Sequence, residues 1–129
     1  MPNEELTPEQ FKATQAKAFK SHRRRHTPGE MNKTEKAMAQ ELAIEQAAGK
    51  ILWWSFEAMT LKLAHDTRLT VDFAILHEDG AMELRDVKGH PEDDYLVKMR
   101  VAADRFWMFR FTQWTPKGKG WQVREFAPK

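Results

Sequence analysis

The run Leu69-Thr70-Val71-Asp72-Phe73-Ala74-Ile75-Leu76-His77 leads through Glu78-Asp79-Gly80 into Ala81-Met82-Glu83-Leu84-Arg85-Asp86-Val87-Lys88. Leu69, Val71, Phe73 and Ile75 alternate with Thr70, Asp72 and Ala74, the period of two that marks a β-strand. Asp79-Gly80 is the chemistry of a tight hairpin turn, because glycine accepts the positive φ such turns require. The two runs are therefore expected to pair as antiparallel neighbours, Arg68 to His77 and Ala81 to Lys88.

Upstream, Ile51 to Ala64 is rich in Trp and Phe and reads as a strand with a kink, closed by the turn His65-Asp66-Thr67. Before it, Asn32 is an N-cap with Glu35 three residues on. The helix it opens passes Ala37, Met38, Leu42, Ala43 and Ala47 and ends at the C-cap residue Gly49. Downstream of Gly89-His90-Pro91, Glu92-Asp93-Asp94 sets acids at the start of a second helix, where the helix dipole favours them. Its stripe is Tyr95, Met99, Ala102 and Phe106, with Leu96 and Ala103 alongside. Strands then follow at Trp107–Trp114 and Trp121–Phe126, around the turn Pro116-Lys117-Gly118-Lys119-Gly120. The order predicts an α/β fold: helix, three-stranded antiparallel meander, helix, strand, on a mixed central sheet.

A chain of 129 residues suits one domain, and 41% hydrophobic with 11% aromatic residues is a globular composition. With no Cys, disulfides, thiolate metal sites and a cysteine nucleophile are excluded. No apolar run approaches the roughly 20 residues of a membrane helix and the start lacks a signal-peptide core, so a soluble, cytoplasmic protein is expected. The net charge of +2 is unevenly laid out. Residues 1–10 carry −3, residues 11–29 carry +6 with no acid, and residues 30–129 carry −1. The expected organisation is a basic helical arm and linker, 1–29, ahead of a core domain, 30–129. Arg23, Arg24 and Arg25 in that arm read either as a solvated linker or as a phosphate-contacting segment.

The chemistry-bearing set is Asp72, Asp86 and Lys88. A carboxylate expected mid-strand at Asp72 needs a partner, since burying it alone is costly. Thirteen residues separate it from Asp86, and the hairpin places the two at comparable distances from the turn. Asp86 and Lys88 stand two apart, so they share one face of their strand. Two carboxylates and a lysine on one patch suit a hard cation such as Mg²⁺, which takes oxygen ligands. Glu35 falls on the same helical stripe as Met38 and Leu42, and so either points at the sheet or merely caps its helix.

Asp72, the thirteen-residue gap and Asp86-Val87-Lys88, in this element order, resemble the PD-(D/E)XK nuclease superfamily, with Lys33 to about Phe111 spanning its core. Lys33-Thr34-Glu35-Lys36-Ala37, Trp53-Trp54-Ser55-Phe56-Glu57 and Leu84-Arg85-Asp86-Val87-Lys88-Gly89 are similar to a family of small phage and prophage proteins suspected of endonuclease activity. The resemblance implies a restriction-endonuclease-like core and a Mg²⁺-dependent DNA endonuclease, with Mn²⁺ able to substitute. It implies Asp72, Asp86, the Val87 carbonyl and Glu35 as metal ligands, and Lys88 as the residue that orients or deprotonates the attacking water. Val71 stands where the motif names proline, and Asp86 where Glu is commoner. The resolvase-like position of Glu35 points to branched DNA such as a Holliday junction, and hence to a homodimer with two active sites. Lys98 and His90 join Arg23, Arg24 and Arg25 as candidate DNA contacts. The rivals are a catalytically inactive nucleic-acid-binding or assembly protein on the same fold, and an RNA-cleaving nuclease.

Overall fold

The structure, a computed structural model, describes residues 29–89 and 93–129. The expected arm helix lies outside the described residues. Helix α1 (Lys33–Ala47) buries Glu35, Met38 and Leu42, spaced three and four apart so that they share one face. It stops at Gly49, whose φ of 81° turns the chain out of the helix, while Lys50 N–H donates to the Glu45 carbonyl at 2.9 Å.

The next four strands are β1 (Ile51–Phe56), β2 (Thr60–Ala64), β3 (Thr67–Thr70) and β4 (Phe73–His77). They are the two arms of one long hairpin, bent at a corner. Near its open end β1 pairs antiparallel with β4, Phe56 opposite Phe73; near its tip β2 pairs antiparallel with β3, Thr60 opposite Thr70. At the bend Glu57 takes a positive φ of 50°, a conformation costly for a residue with a Cβ. Its N–H donates to the Asp72 carbonyl at 2.7 Å and ties the corner shut.

This bend is the kink expected in Ile51–Ala64, but it also breaks the strand expected from Arg68 to His77. Asp72 is not mid-strand; it sits in the corner between β3 and β4. The alternation does not run through the break either. Leu69 and Val71 join one core with Leu61 and Leu63, whereas Phe73 packs at 5.3 Å from the Phe56 ring and 5.8 Å from Trp54, outside that core.

Strand β5 (Met82–Val87) pairs antiparallel with β4, helix α2 (Asp93–Arg105) crosses over, and β6 (Arg110–Lys117) returns parallel to β5. Strand β7 (Gly120–Phe126) closes an antiparallel edge. The mixed sheet thus has the order β1-β4-β5-β6-β7, with β2-β3 as a separate ribbon. The Asp79-Gly80 turn forms as expected, with Gly80 at φ 92° and Ala81 N–H donating to Asp79 Oδ1 at 2.9 Å. Trp107, expected in a strand, instead lies in a turn and is 68% exposed, because α2 runs on into a turn where Phe109 N–H donates to the Phe106 carbonyl.

Helix α2 is held between the sheet and the ribbon. Met99, Ala102 and Ala103 meet Leu61, Leu63, Leu69 and Val71 of the ribbon segment and Ala74, Leu84 and Phe111 of the sheet. A buried Phe such as Phe111 contributes roughly 1.5–3 kcal/mol. The opposite face of the sheet, under α1, has a polar centre. Glu83 accepts both Arg85 Nε and Nη2, at 2.9 and 3.0 Å, and also the Thr112 hydroxyl. His77 Nε2 lies 2.7 Å from the same carboxylate, and Arg85 stacks 3.8 Å above the Trp114 ring. No helix among the described residues is long and apolar enough to cross a membrane.

Candidate functional site

Phe73 stands opposite Arg85 and Ala74 opposite Leu84; one further step in that register brings Asp72 opposite Asp86. Side chains alternate along β5, so Leu84 and Asp86 face α2 while Glu83 and Arg85 face α1. Asp86 is fully buried and Asp72 is 7% exposed. The convergence expected from the hairpin is therefore found, although Asp72 reaches it from a corner rather than from a straight strand.

Each carboxylate accepts from one N–H or O–H group, and the two carboxyl groups also hydrogen-bond each other. Asp72 Oδ2 accepts the Val87 N–H at 2.8 Å, and Asp86 Oδ1 accepts the Tyr95 hydroxyl at 2.6 Å. Tyr95 comes from the first turn of α2 and Glu35 from the first turn of α1, so the N-terminal ends of both helices serve the acid pair. Glu35 is 3% exposed and its charge acts on Asp72. Burial pushes the Asp72 carboxyl well above the usual aspartate range, and the charges of Asp86 and Glu35 push it the same way. Lys88 opposes them, with its ammonium 4.5 Å above the Tyr95 ring.

Asp86 Oδ2 is buried and accepts from no N–H or O–H among the described residues unless the Asp72 carboxyl carries a proton. A buried carboxylate oxygen without a donor is costly; a proton held on Asp72 relieves the cost, and a bound cation would satisfy it without that proton. Acidic oxygens next to an ammonium are also the donor chemistry of a hard divalent ion. Acids alone do not complete a metal cage: among the described residues, no group of three or more His, Asp or Glu side chains has the arrangement to hold a metal ion.

The remaining expected residues divide. Lys98 is half-buried, with Nζ 3.5 Å from the Arg68 carbonyl at the edge of the ribbon. Arg23, Arg24, Arg25 and His90 lie outside the described residues. His77, at the end of the strand expected from Arg68, joins the Glu83 network. Two contributors escaped sequence reading. Tyr95 was legible only as part of an apolar stripe. Gln113 on β6 is 2% exposed, its Nε2 has no partner among the described residues, and it stands beside Asp86 in register. Its only sequence signal is a polar residue in a run that otherwise reads as strand core. The chain matches no known family, curated protein or solved structure in these comparisons.

Proposed function

We infer that the protein is a divalent-cation-dependent nuclease that hydrolyses phosphodiester bonds in DNA, on a restriction-endonuclease-like core of the PD-(D/E)XK type. The single observation carrying this reading is the buried facing pair Asp72 and Asp86, in which one Asp86 oxygen has no donor among the described residues other than a protonated Asp72, with Lys88 beside it. Such an arrangement is costly to fold and serves no core-packing purpose, so a cation gives it a reason.

Asp72, Asp86 and the Val87 carbonyl would hold Mg²⁺ or Mn²⁺, while Glu35, from the α1 side, adds negative charge near Asp72 without completing a three-acid cage among the described residues. When bound, the ion neutralises charge on a phosphate and makes water a better nucleophile. The chain's own residues supply the rest. Tyr95 fixes one oxygen of Asp86 and so orients the other. Lys88 places a positive charge at the mouth of the acid pair, where it orients a water and offsets charge growing on the phosphate. Burial of the carboxylates keeps competing water away and strengthens their hold on a cation. The resolvase-like position of Glu35 favours branched DNA, cut by two copies acting together.

Purified protein incubated with Mg²⁺ or Mn²⁺ and a four-way junction, duplex DNA, single-stranded DNA or RNA tests the reading. Cutting of a DNA substrate that disappears in Asp86→Ala supports it. Preference for RNA would move the assignment to a ribonuclease. No cutting above the Asp86→Ala control would overturn it and favour a nucleic-acid-binding protein on the same fold.

A further inference from the structure

Three side chains lie in a row across neighbouring strands on the α2 face of the sheet. Asp72, in the corner one residue before β4, comes opposite Asp86 when the antiparallel register of β4 and β5 is carried one step on, and Asp86 stands opposite Gln113 by the parallel register of β5 and β6. Neighbouring strands are about 4.8 Å apart, so each side chain can reach the space above the next. Asp86 occupies the middle, and its buried Oδ2 has no donor among the described residues unless Asp72 is protonated; Gln113 at the end of the row carries a buried amide nitrogen with no partner among them. Leaving two such groups unmatched side by side is a cost that a packed sheet normally avoids.

We propose that Gln113 is a ligand of the divalent cation, contributing a neutral carboxamide oxygen alongside Asp72 and Asp86. The inference rests on the cation reading above and deepens it. Hard divalent ions accept amide carbonyls as readily as carboxylates, and a third oxygen from Gln113 completes a set that the acids alone leave short. The two ends of a carboxamide have nearly the same shape, so rotation about its terminal bond exchanges nitrogen for oxygen at little steric cost. Without the ion, the nitrogen end is buried without an acceptor; with it, the oxygen end faces the cation. A neutral ligand also suits this row, since a third carboxylate beside Asp86 would add to the repulsion already acting on Asp72.

Calorimetric titration of the full chain with Mn²⁺ alone, without nucleic acid, tests the assignment. Gln113→Leu, which keeps the volume and removes the oxygen, is expected to weaken Mn²⁺ binding by about tenfold or more. Its melting temperature in EDTA should equal or exceed that of the wild type, because an unsatisfied donor has been removed. Gln113→Glu is expected to bind Mn²⁺ more tightly than the wild type, and the Gln113 side-chain amide resonance of the wild type should shift on Mg²⁺ titration. Should Gln113→Leu fail to fold, Gln113→Asn, which retracts the oxygen by one methylene, carries the same expected loss. Wild-type affinity in the folded variants, with an unmoved amide resonance, overturns the ligand assignment while leaving Asp72 and Asp86 as a cation site. Absence of Mn²⁺ binding to the wild type overturns the cation reading itself.

Discussion

The Tyr95 hydroxyl donates to Asp86 Oδ1 at 2.6 Å, so the first turn of α2 fixes one oxygen of a fully buried carboxylate in the central strand, while the other accepts from no N–H or O–H among the described residues unless the Asp72 carboxyl carries a proton. Removing that hydroxyl takes a charge-assisted hydrogen bond from a buried acid. Tyr95→Phe should therefore destabilise the cation-free protein by about 1.5–3 kcal/mol, the range for hydrogen bonds to charged groups. Urea denaturation in EDTA measures the loss. Saturating Mg²⁺ should recover part of it if the cation takes over the carboxylate.

Asp72 makes the opposite prediction. Its carboxyl is raised by burial and by Asp86 and Glu35, so the folded state holds the proton more tightly than the unfolded chain, whose value is near 3.8. The stabilisation is full below that value and is lost as pH rises through the raised folded value. Asp72→Asn, which can still accept from the Val87 N–H, should melt higher than the wild type in EDTA at neutral pH and lack this decline. The same variant should gain no thermal stability from Mg²⁺. Melting curves across pH, with and without the ion, check both statements.

The charged group on the other face of β5 responds to acid with the reverse sign. Burial would raise the Glu83 carboxyl, but the hydrogen bonds and charge of Arg85, with Thr112 and His77, outweigh it and bring it from 4.5 to about 2. Its contribution is present above 4.5 and disappears as pH falls towards 2, a loss on the order of 3 kcal/mol. Glu83→Gln should cost roughly 3–5 kcal/mol at neutral pH, because Arg85 is left buried beside a neutral amide. Replacing both, Glu83→Gln with Arg85→Met, should restore much of the loss. Equilibrium unfolding at several pH values resolves these outcomes.

Lys88 separates chemistry from stability. It is half-exposed, rests on the Tyr95 ring and opposes the charge repulsion on Asp72, so Lys88→Met should cost about 0.5–1 kcal/mol of folding stability. Under single-turnover conditions with saturating Mg²⁺, the same change should slow DNA cleavage by roughly 10²–10⁴-fold, as expected for a group that handles the attacking water. A cleavage rate unchanged in Lys88→Met would remove Lys88 from the reaction.

Much of this was legible in the residues. The hairpin at Asp79-Gly80, the buried stripe of Glu35, Met38 and Leu42, the helix after Asp93 and the meeting of Asp72 with Asp86 all follow from local signals of turn, period and spacing. What was hidden depends on contacts far apart in sequence. Leu69 to Ile75 alternates without interruption on paper, and only the packing of the ribbon against α2 reveals that the chain turns between Val71 and Phe73. The roles of Gln113 and Tyr95 arise from strand register and helix placement, which no nearby residue announces. Trp107 looked like the start of a strand because aromatic residues favour strands; the chain takes a further turn first.

The corner at Glu57 and Asp72 gives the molecule a fulcrum. Asp86 belongs to a straight central strand, whereas Asp72 rides on the bend, and the ribbon beyond it is a lever pressed onto α2 by Leu61, Leu63, Leu69 and Val71. The gap between the two acids is therefore governed by an angle of the backbone more than by the rotamer of either side chain. Leu61, Leu63 and Leu69, seated on α2, act as calipers that steady the corner carrying Asp72.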